Sequence, residues 1–384
     1  MLLSVTAEEA MLVNAARDYA RAELLPRDRA WDRGEGSVAD VLGELAKMGF
    51  FNLVVGERMG GLGCSYRAYS RIIGEIAYAS AAAAVTISVH NMVGLLLDKL
   101  GPAEHKQAWL ASWGRRESLS AFAISESGAG SDPGSTSTKA TRDGDAYIVS
   151  GEKMWITNGL SARWFATLVR TGPGKGKDGL SMVMIDGQSP GLGRDPIHGK
   201  MGIRGSETAV IALDDVRVPV SYLLDREGEG LKVSLATLNG GRIGIAAQAV
   251  GIARACLDEM IVYAGERRQF DQPIGRFQAI QNMVADSAVE VAAAGALVEH
   301  AATTMDEGVT DPSASSKAKL FATEAANRVA YRAVQVFGGM GYVNDCRAEQ
   351  LFRDARITTI YEGTSEIQRV IIARELLRSR LGSS

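Results

Sequence analysis

The stretch Phe165-Ala-Thr-Leu-Val-Arg-Thr-Gly-Pro-Gly-Lys-Gly-Lys-Asp-Gly-Leu-Ser-Met-Val-Met-Ile185 decides the fold class. Two apolar runs of strand length, 165–169 and 181–185, flank the turn cluster Gly172-Pro173-Gly174-Lys175-Gly176, and together they read as a β-hairpin. Neither Gly-Lys pair in the cluster is followed by Ser or Thr, so the tract is a hairpin tip and not a phosphate-binding P-loop. Similar runs at 147–149 and 208–213 extend the unit to a compact middle antiparallel β domain.

On both sides of this domain the pattern is helical, so the chain is mainly α. From residue 6 to about 115, apolar residues recur at helical spacing, as in Met11, Leu12, Ala15, Tyr19 and Ala22, with breaks at Gly34-Glu35-Gly36 and Gly60-Gly61-Leu62-Gly63. Thr6-Ala7-Glu8-Glu9 has the capping-box pattern of a helix start, with no basic and apolar leader before it. After Pro219, Ala-rich helices are expected at about 230–265, 277–306 and 312–337, with a last one near Thr364 on a stripe of Ile367, Val370 and Ile371. Four such helices suggest a bundle. Helix, sheet, helix order without βαβ alternation argues against a doubly wound fold. The expected domains are helical at 1–117, β at 118–225 and a four-helix bundle at 226–384.

A chain of 384 residues can organise two or three domains and bury a large cofactor. Its net charge of −3 gives no basic field for nucleic acid or an anionic membrane. Residues 76–97 carry no charged side chain, and Ala, Ser, Thr, His90 and Asn91 dilute the run, which reads as a buried helix and not a membrane span. Cys64, Cys256 and Cys346 are dispersed, as free thiols would be, and the four histidines are scattered, so no metal is assigned.

Five segments could carry chemistry. Ala121-Phe-Ala-Ile-Ser-Glu-Ser-Gly-Ala-Gly-Ser-Asp-Pro133 places a strand before a small-residue loop whose amides can approach an anion or a thioester. Gly151-Glu-Lys-Met-Trp-Ile-Thr-Asn-Gly159 puts an indole and a hydroxyl two residues apart, on one face if this is a strand. Glu266-Arg-Arg-Gln-Phe270 offers two guanidinium groups where a long helix breaks, suited to phosphate or to the helix dipole. Gln335-Val-Phe-Gly-Gly-Met-Gly341 and Phe352-Arg-Asp-Ala-Arg356 precede the fifth, Ile360-Tyr-Glu-Gly-Thr-Ser-Glu-Ile-Gln368. There Thr364 can cap the last helix, and Glu362, flanked by Ile360, Tyr361 and Gly363, either serves as a general base in an apolar pocket or complements the helix N-terminus.

Taken together and in order, these segments resemble the acyl-CoA dehydrogenase family over nearly the whole chain, with the look of a short-chain or branched-chain member. The resemblance implies three domains, FAD between the β domain and the bundle, a homotetramer, and electron transfer flavoprotein as the electron acceptor. By motif position it places Phe122, Ile124, Ser125, Ser131, Trp155, Ile156 and Thr157 around the flavin. Arg267, Phe270, Gln278, Gln335, Gly338 and Gly339 look like partners of the adenine-diphosphate half, some reaching a neighbouring subunit's FAD, and Thr364 and Glu366 also touch the cofactor. Ser131, Asn239, Arg242, Tyr361 and Gly363 fall on acyl-CoA positions, although short-chain members usually have Asp where Asn239 stands. Glu362 matches the family base in its Tyr-Glu-Gly-Thr context, and near Ser234, where some relatives place the base instead, there is no carboxylate until Glu229. The implied activity is α,β-dehydrogenation of an acyl-CoA to the trans-2-enoyl-CoA, in a bacterial cytoplasm or a mitochondrial matrix. Rival readings on the same scaffold are an acyl-CoA oxidase, a carrier-protein-linked acyl dehydrogenase, and a flavin monooxygenase or nitroalkane-oxidase-like relative.

Overall fold

A computed structural model describes residues 5–112, 119–173, 176, 178–309 and 311–381. The expected boundary at 117/118, the first four residues and Gly174-Lys175 of the hairpin tip lie outside them. The N-terminal part is helical: α1 (Ala7–Tyr19), α2 (Leu25–Asp32), α3 (Leu42–Lys47), α4 (Tyr66–Ala79), α5 (Ala81–Leu100) and α6 (Ala103–Ala111). The expected capping box starts α1, with Glu9 N–H donating to Thr6 Oγ1 at 3.1 Å and Thr6 N–H to Glu9 Oε2 at 2.9 Å.

The uncharged run 76–97 is two helices and not one. The chain breaks at Ser80, whose hydroxyl accepts from Ala83 N–H at 3.1 Å and so caps α5. By length and composition α5 could cross a membrane, but 89% of its most apolar window is buried inside the protein, against α4 and α7.

The middle part is an eight-stranded sheet of β1 (Ser120–Ala123), β2 (Lys139–Asp143), β3 (Ala146–Thr157), β4 (Trp164–Arg170), β5 (Leu180–Asp186), β6 (Leu192–Pro196), β7 (Thr208–Pro219) and β8 (Leu223–Leu224). Its order is β6-β7-β3-β2-β4-β5-β8, with β1 beside β4. Most neighbours are antiparallel, and β4 and β5 form the expected hairpin. The sheet is nevertheless mixed, because β1 runs parallel to β4 and β2 meets β4 in parallel at Lys139 and Arg170. A parallel neighbour requires a crossover, which the β2–β3 segment provides. One face, with Trp164, Leu168 and Met184, joins the helical core, while the other, with Tyr147, Phe165 and Ile185, forms its own cluster. Burial on both faces makes β4 and β5 read as continuous apolar runs.

The C-terminal part holds α7 (Gly230–Glu266), a hairpin of β9 (Arg268–Gln269) and β10 (Gln272–Pro273), α8 (Gln278–Asp306), α9 (Pro312–Phe337), α10 (Arg347–Ile357) and α11 (Ser365–Leu381). The four expected long helices are present. The fifth, α10, carries the Phe352-Arg-Asp-Ala-Arg356 motif and is highly charged, which hid its helical period. Among the described side chains of α11 the buried ones are Ser365 and Gln368, whereas Val370 of the expected stripe is 50% exposed. That helix therefore docks on this chain through polar groups.

The three parts meet at α10. Arg353 forks onto Asp32 of α2, with Nη1 to Oδ1 at 2.8 Å, and onto Glu349 one turn back. Gln350 Nε2 donates to Asp28 at 2.7 Å, and Asp354 Oδ1 accepts Ile203 N–H from the loop between β6 and β7. Residue 202 must be glycine, since a Cβ there would lie 2.4 Å from the Arg353 carbonyl oxygen.

Candidate active site

Between α10 and α11 the chain makes a left-handed turn, with φ +53° at Glu362 and +91° at Gly363. A non-glycine residue held there costs about 1–2 kcal/mol, so the surroundings must impose it. They do so with buried donors. Gln368 Nε2 donates to the carbonyls of Glu362 at 3.2 Å and Gly363 at 2.8 Å, and Lys319 Nζ of α9 donates to Gly363 O at 2.8 Å. Tyr361 OH donates to Gln248 Oε1 of α7, whose Nε2 in turn donates to the Ala81 carbonyl at 2.7 Å. Thr364 caps α11 as expected, its Oγ1 accepting Ile367 N–H at 3.3 Å.

This turn delivers the Glu362 carboxylate into the protein. The residue as a whole is partly exposed, yet its Oε2 is buried and has no hydrogen-bond partner among the described residues. Room for it comes from Gly241 of α7, where a Cβ would stand 2.6 Å from Oε2 and 2.7 Å from Met92 Sδ. Burial pushes the carboxyl up to about 7, against the pull of Arg242 and Lys319. Of the expected flanking residues, Ile360 is 45% exposed while Tyr361 packs against the core, and Gly241, beside Oε2, comes from far off in the sequence. Arg242, 3% exposed, donates Nη1 to Asn239 Oδ1 at 2.7 Å and leaves its buried Nε without a partner among the described residues.

A second constellation lies on the sheet. The loop after β1 is anchored by Glu126, whose carboxylate accepts from the amides and hydroxyls of Ser137 and Thr138 and from Lys153 Nζ at 2.8 Å. Burial opposes this charge, but Lys153 and the other donors hold the carboxyl down to about 2. The same ammonium ties the loop to β3, as does Met154 N–H on Ser125 O at 2.9 Å. Just beyond, β3 carries a bulge between Lys153 and Ile156. Trp155 there has φ +64° and is 58% exposed, a strained backbone that presents an indole outward. Ile156 is buried in the core cluster of the sheet, which leaves its backbone for any ligand, while Thr157 is half-buried. Phe122 is buried, Ile124 and Ser125 are half-buried, and Ser131 is exposed.

The remaining residues gather at the far end of α7. Tyr263 stacks on Phe337 with centroids 4.1 Å apart, joining that end to the end of α9, where Gln335, Gly338 and Gly339 are exposed. Arg267 ends α7, and Phe270 and Asp271, at φ +50° and +60°, form the tip of the β9–β10 hairpin. Phe270 is 86% exposed, and Gln278 is exposed at the start of α8. Glu366 is exposed in the first turn of α11. Sequence reasoning missed Lys319, Gln368, Gly241 and the Glu126–Lys153 pair. The signal for Lys319 was present, since it is a lone cation on the small-residue face of α9 made by Ser315, Ser316, Ala322 and Ala326.

Comparison with known proteins fits this geometry. Models of the acyl-CoA dehydrogenase N-terminal, middle and C-terminal domains match residues 6–117, 121–216 and 228–377. The mouse mitochondrial short-chain specific acyl-CoA dehydrogenase is 40% identical over 96% of this chain and 90% of its own. Butyryl-CoA dehydrogenase from Megasphaera elsdenii superposes with a TM-score of 0.95 at 33% identity, covering 98% of this chain and all of that one. A chain solved in work on the electron transferring flavoprotein of Acidaminococcus fermentans gives 0.96 at 36% identity, with 98% and 100% coverage. With all three domain models matched in order around a buried carboxylate, this chain belongs to the acyl-CoA dehydrogenase family, flavoprotein oxidoreductases that act on acyl-CoA.

Proposed function

We propose that this protein converts a short saturated acyl-CoA to the trans-2-enoyl-CoA, with FAD as cofactor and Glu362 as general base. The observation that carries the reading is Glu362 Oε2, a buried carboxylate oxygen without a partner among the described residues, whose carboxyl titrates at about 7. Such a group is poised to accept a proton at neutral pH. Glu362 takes the α-hydrogen as a proton, and the electron pair left on Cα becomes the new double bond as the β-hydrogen departs with its own pair. FAD, when bound, supplies the acceptor for that hydride. The Glu362 backbone N–H would stabilise the enolate-like thioester oxygen. Arg242, Asn239, Tyr361, Gly363 and Ser131 hold the acyl-CoA.

The residues fit the cofactor. Trp155 offers an outward ring face, Phe122, Ile124, Ser125, Ile156 and Thr157 would line the flavin with it, and a Cβ added at Gly128 or Gly130 would meet nothing within 4 Å, so the loop amides are open to approach. Thr364, just before α11, and Glu366, in its first turn, would also touch the cofactor. Arg267 caps the end of α7, 25 residues beyond Arg242 and roughly 37 Å from it at the helical rise. This separation supports the reading that Arg267, Phe270, Gln278, Gln335, Gly338 and Gly339 serve the FAD of a neighbouring subunit in a homotetramer. A cavity of about 150 Å³ beside Met92 and Gly240, lined also by Leu96, Val233 and Ile243, suits a short apolar chain. Electron transfer flavoprotein is the proposed acceptor.

Anaerobic titration with butyryl-, isobutyryl-, isovaleryl- and octanoyl-CoA tests the reading. The oxidised flavin band should bleach with a short thioester and return on adding electron transfer flavoprotein. Glu362→Gln should keep its colour and its ligand binding but lose about 10² to 10⁴ in turnover. Near wild-type turnover in that variant refutes the base assignment, and rapid peroxide formation without an added acceptor would mark an oxidase.

A further inference from the structure

Lys319 is a buried titratable group at the site to which neither the sequence motifs nor the proposed reaction gives a role. We propose that Lys319 is a positioning residue for Glu362: its ammonium, clamped on the Gly363 carbonyl, fixes the left-handed turn that aims the carboxylate and, when protonated, lends it positive charge. The proposal rests on Glu362 being the base.

Three observations carry it. Lys319 is 0% exposed in the middle of α9, and a buried cation without a task would be replaced at little cost by an apolar side chain. Its Nζ donates at 2.8 Å to the residue immediately after Glu362, in a turn whose backbone is strained on its own. Gln368 donates to the same carbonyl at 2.8 Å, so two elements, α9 and α11, grip the turn from different sides. The anchor is on the backbone, which leaves the carboxylate itself free of a direct clamp.

The charges around the pair are Arg242 from α7 and Lys319 from α9 facing Glu362, with the hydroxyls of Tyr69 from α4 and Tyr361 nearby. Lys319 is faced by Glu362, Arg242, Glu324 of its own helix and Glu366 of α11. Burial drives the Lys319 ammonium down to about 7, even with Glu362 pulling the other way. Burial disfavours the Glu362 carboxylate and the two cations favour it, so losing one of them moves its titration to higher pH.

Lys319→Met keeps the length and volume of the stem and removes both charge and donor, while Lys319→Gln keeps a donor without the charge. Each is purified with flavin bound and checked for wild-type absorbance and thermal midpoint. The acid limb of kcat/KM for butyryl-CoA should move up by about one pH unit in both variants. In Lys319→Met kcat should also fall about tenfold to a hundredfold, and less in Lys319→Gln. A purely structural lysine would lower the rate or the midpoint and leave the limb in place. The proposal is overturned if a folded variant keeps its limb within about 0.2 pH unit of wild type. Should Lys319→Met not fold, the limb of Lys319→Gln decides between the two outcomes. Glu362→Gln, run alongside, separates the failures. If it stays active the base reading falls, and if it is inactive while the limb does not move, only the role of Lys319 falls.

Discussion

Replacing Gly241 by alanine adds one methyl group at the point where α7 makes room for the carboxylate. The new Cβ would stand 2.6 Å from Glu362 Oε2 and 2.7 Å from Met92 Sδ, against about 3.4 Å for ordinary contact, so the carboxylate must retreat by about 0.8 Å. Both obstructing atoms are ends of flexible side chains, so the fold can yield, and alanine also favours the helix by about 1 kcal/mol over glycine. Stability should therefore stay within about 1 kcal/mol of wild type. Function should not be preserved, because the flexible end that yields is the proposed base, and a displacement near 1 Å costs up to about 10² in rate. We expect kcat for the best thioester to drop about tenfold to a hundredfold, equivalent to about 1.4 to 2.7 kcal/mol of barrier, with an unchanged flavin spectrum. Rapid-reaction measurement of flavin bleaching isolates the chemical step, and denaturant unfolding gives the stability. A bleaching rate within twofold of wild type would show that the space beside Gly241 does not govern the position of the base.

Removing the Lys153 ammonium leaves Glu126 buried with its other donors, so Lys153→Met should destabilise the protein by about 3 kcal/mol and speed FAD release, while Glu126→Gln in the same chain should restore part of that loss. Purely additive effects in a double-mutant cycle would refute the coupling. Asp354 is buried, and burial together with Asp28 pushes its carboxyl well above the carboxylate range, to about 8. A carboxyl raised on folding is most stabilising in its protonated form, so stability should fall as pH rises from about 4 to about 8, by up to about 1.4 kcal/mol per unit. Thermal midpoints of Asp354→Asn should show a flatter decline over that window, and an unchanged slope would exclude Asp354 as its source.

Much of the fold is local and therefore legible in sequence. The capping box at Thr6 and Glu9, the turn-flanked runs of β4 and β5 and the long Ala-rich helices each depend on neighbours a few residues away. The break at Ser80 was less visible, because small residues on both sides support either one helix or two. At the site, Glu362 and Thr364 stand out in one short motif. What buries Glu362 does not, since Gly241, Met92 and Lys319 come from three helices and only tertiary packing brings them to one carboxylate. The bulge at Trp155 was hidden for a related reason, as an extra residue in β3 is defined by its pairing with β7.

The fork of Arg353 on Asp32 joins residues 321 apart in the chain. A ribosome adding about 5 to 20 residues per second needs roughly a quarter of a minute to a minute to cover that interval. During that time α2 is already outside the exit tunnel, while Asp28 and Asp32 have neither Gln350 nor Arg353 to answer them. The N-terminal helices are thus made well before the partners that complete them, and their early exposure defines when a newly made chain is most open to chaperone capture or to premature pairing with another copy.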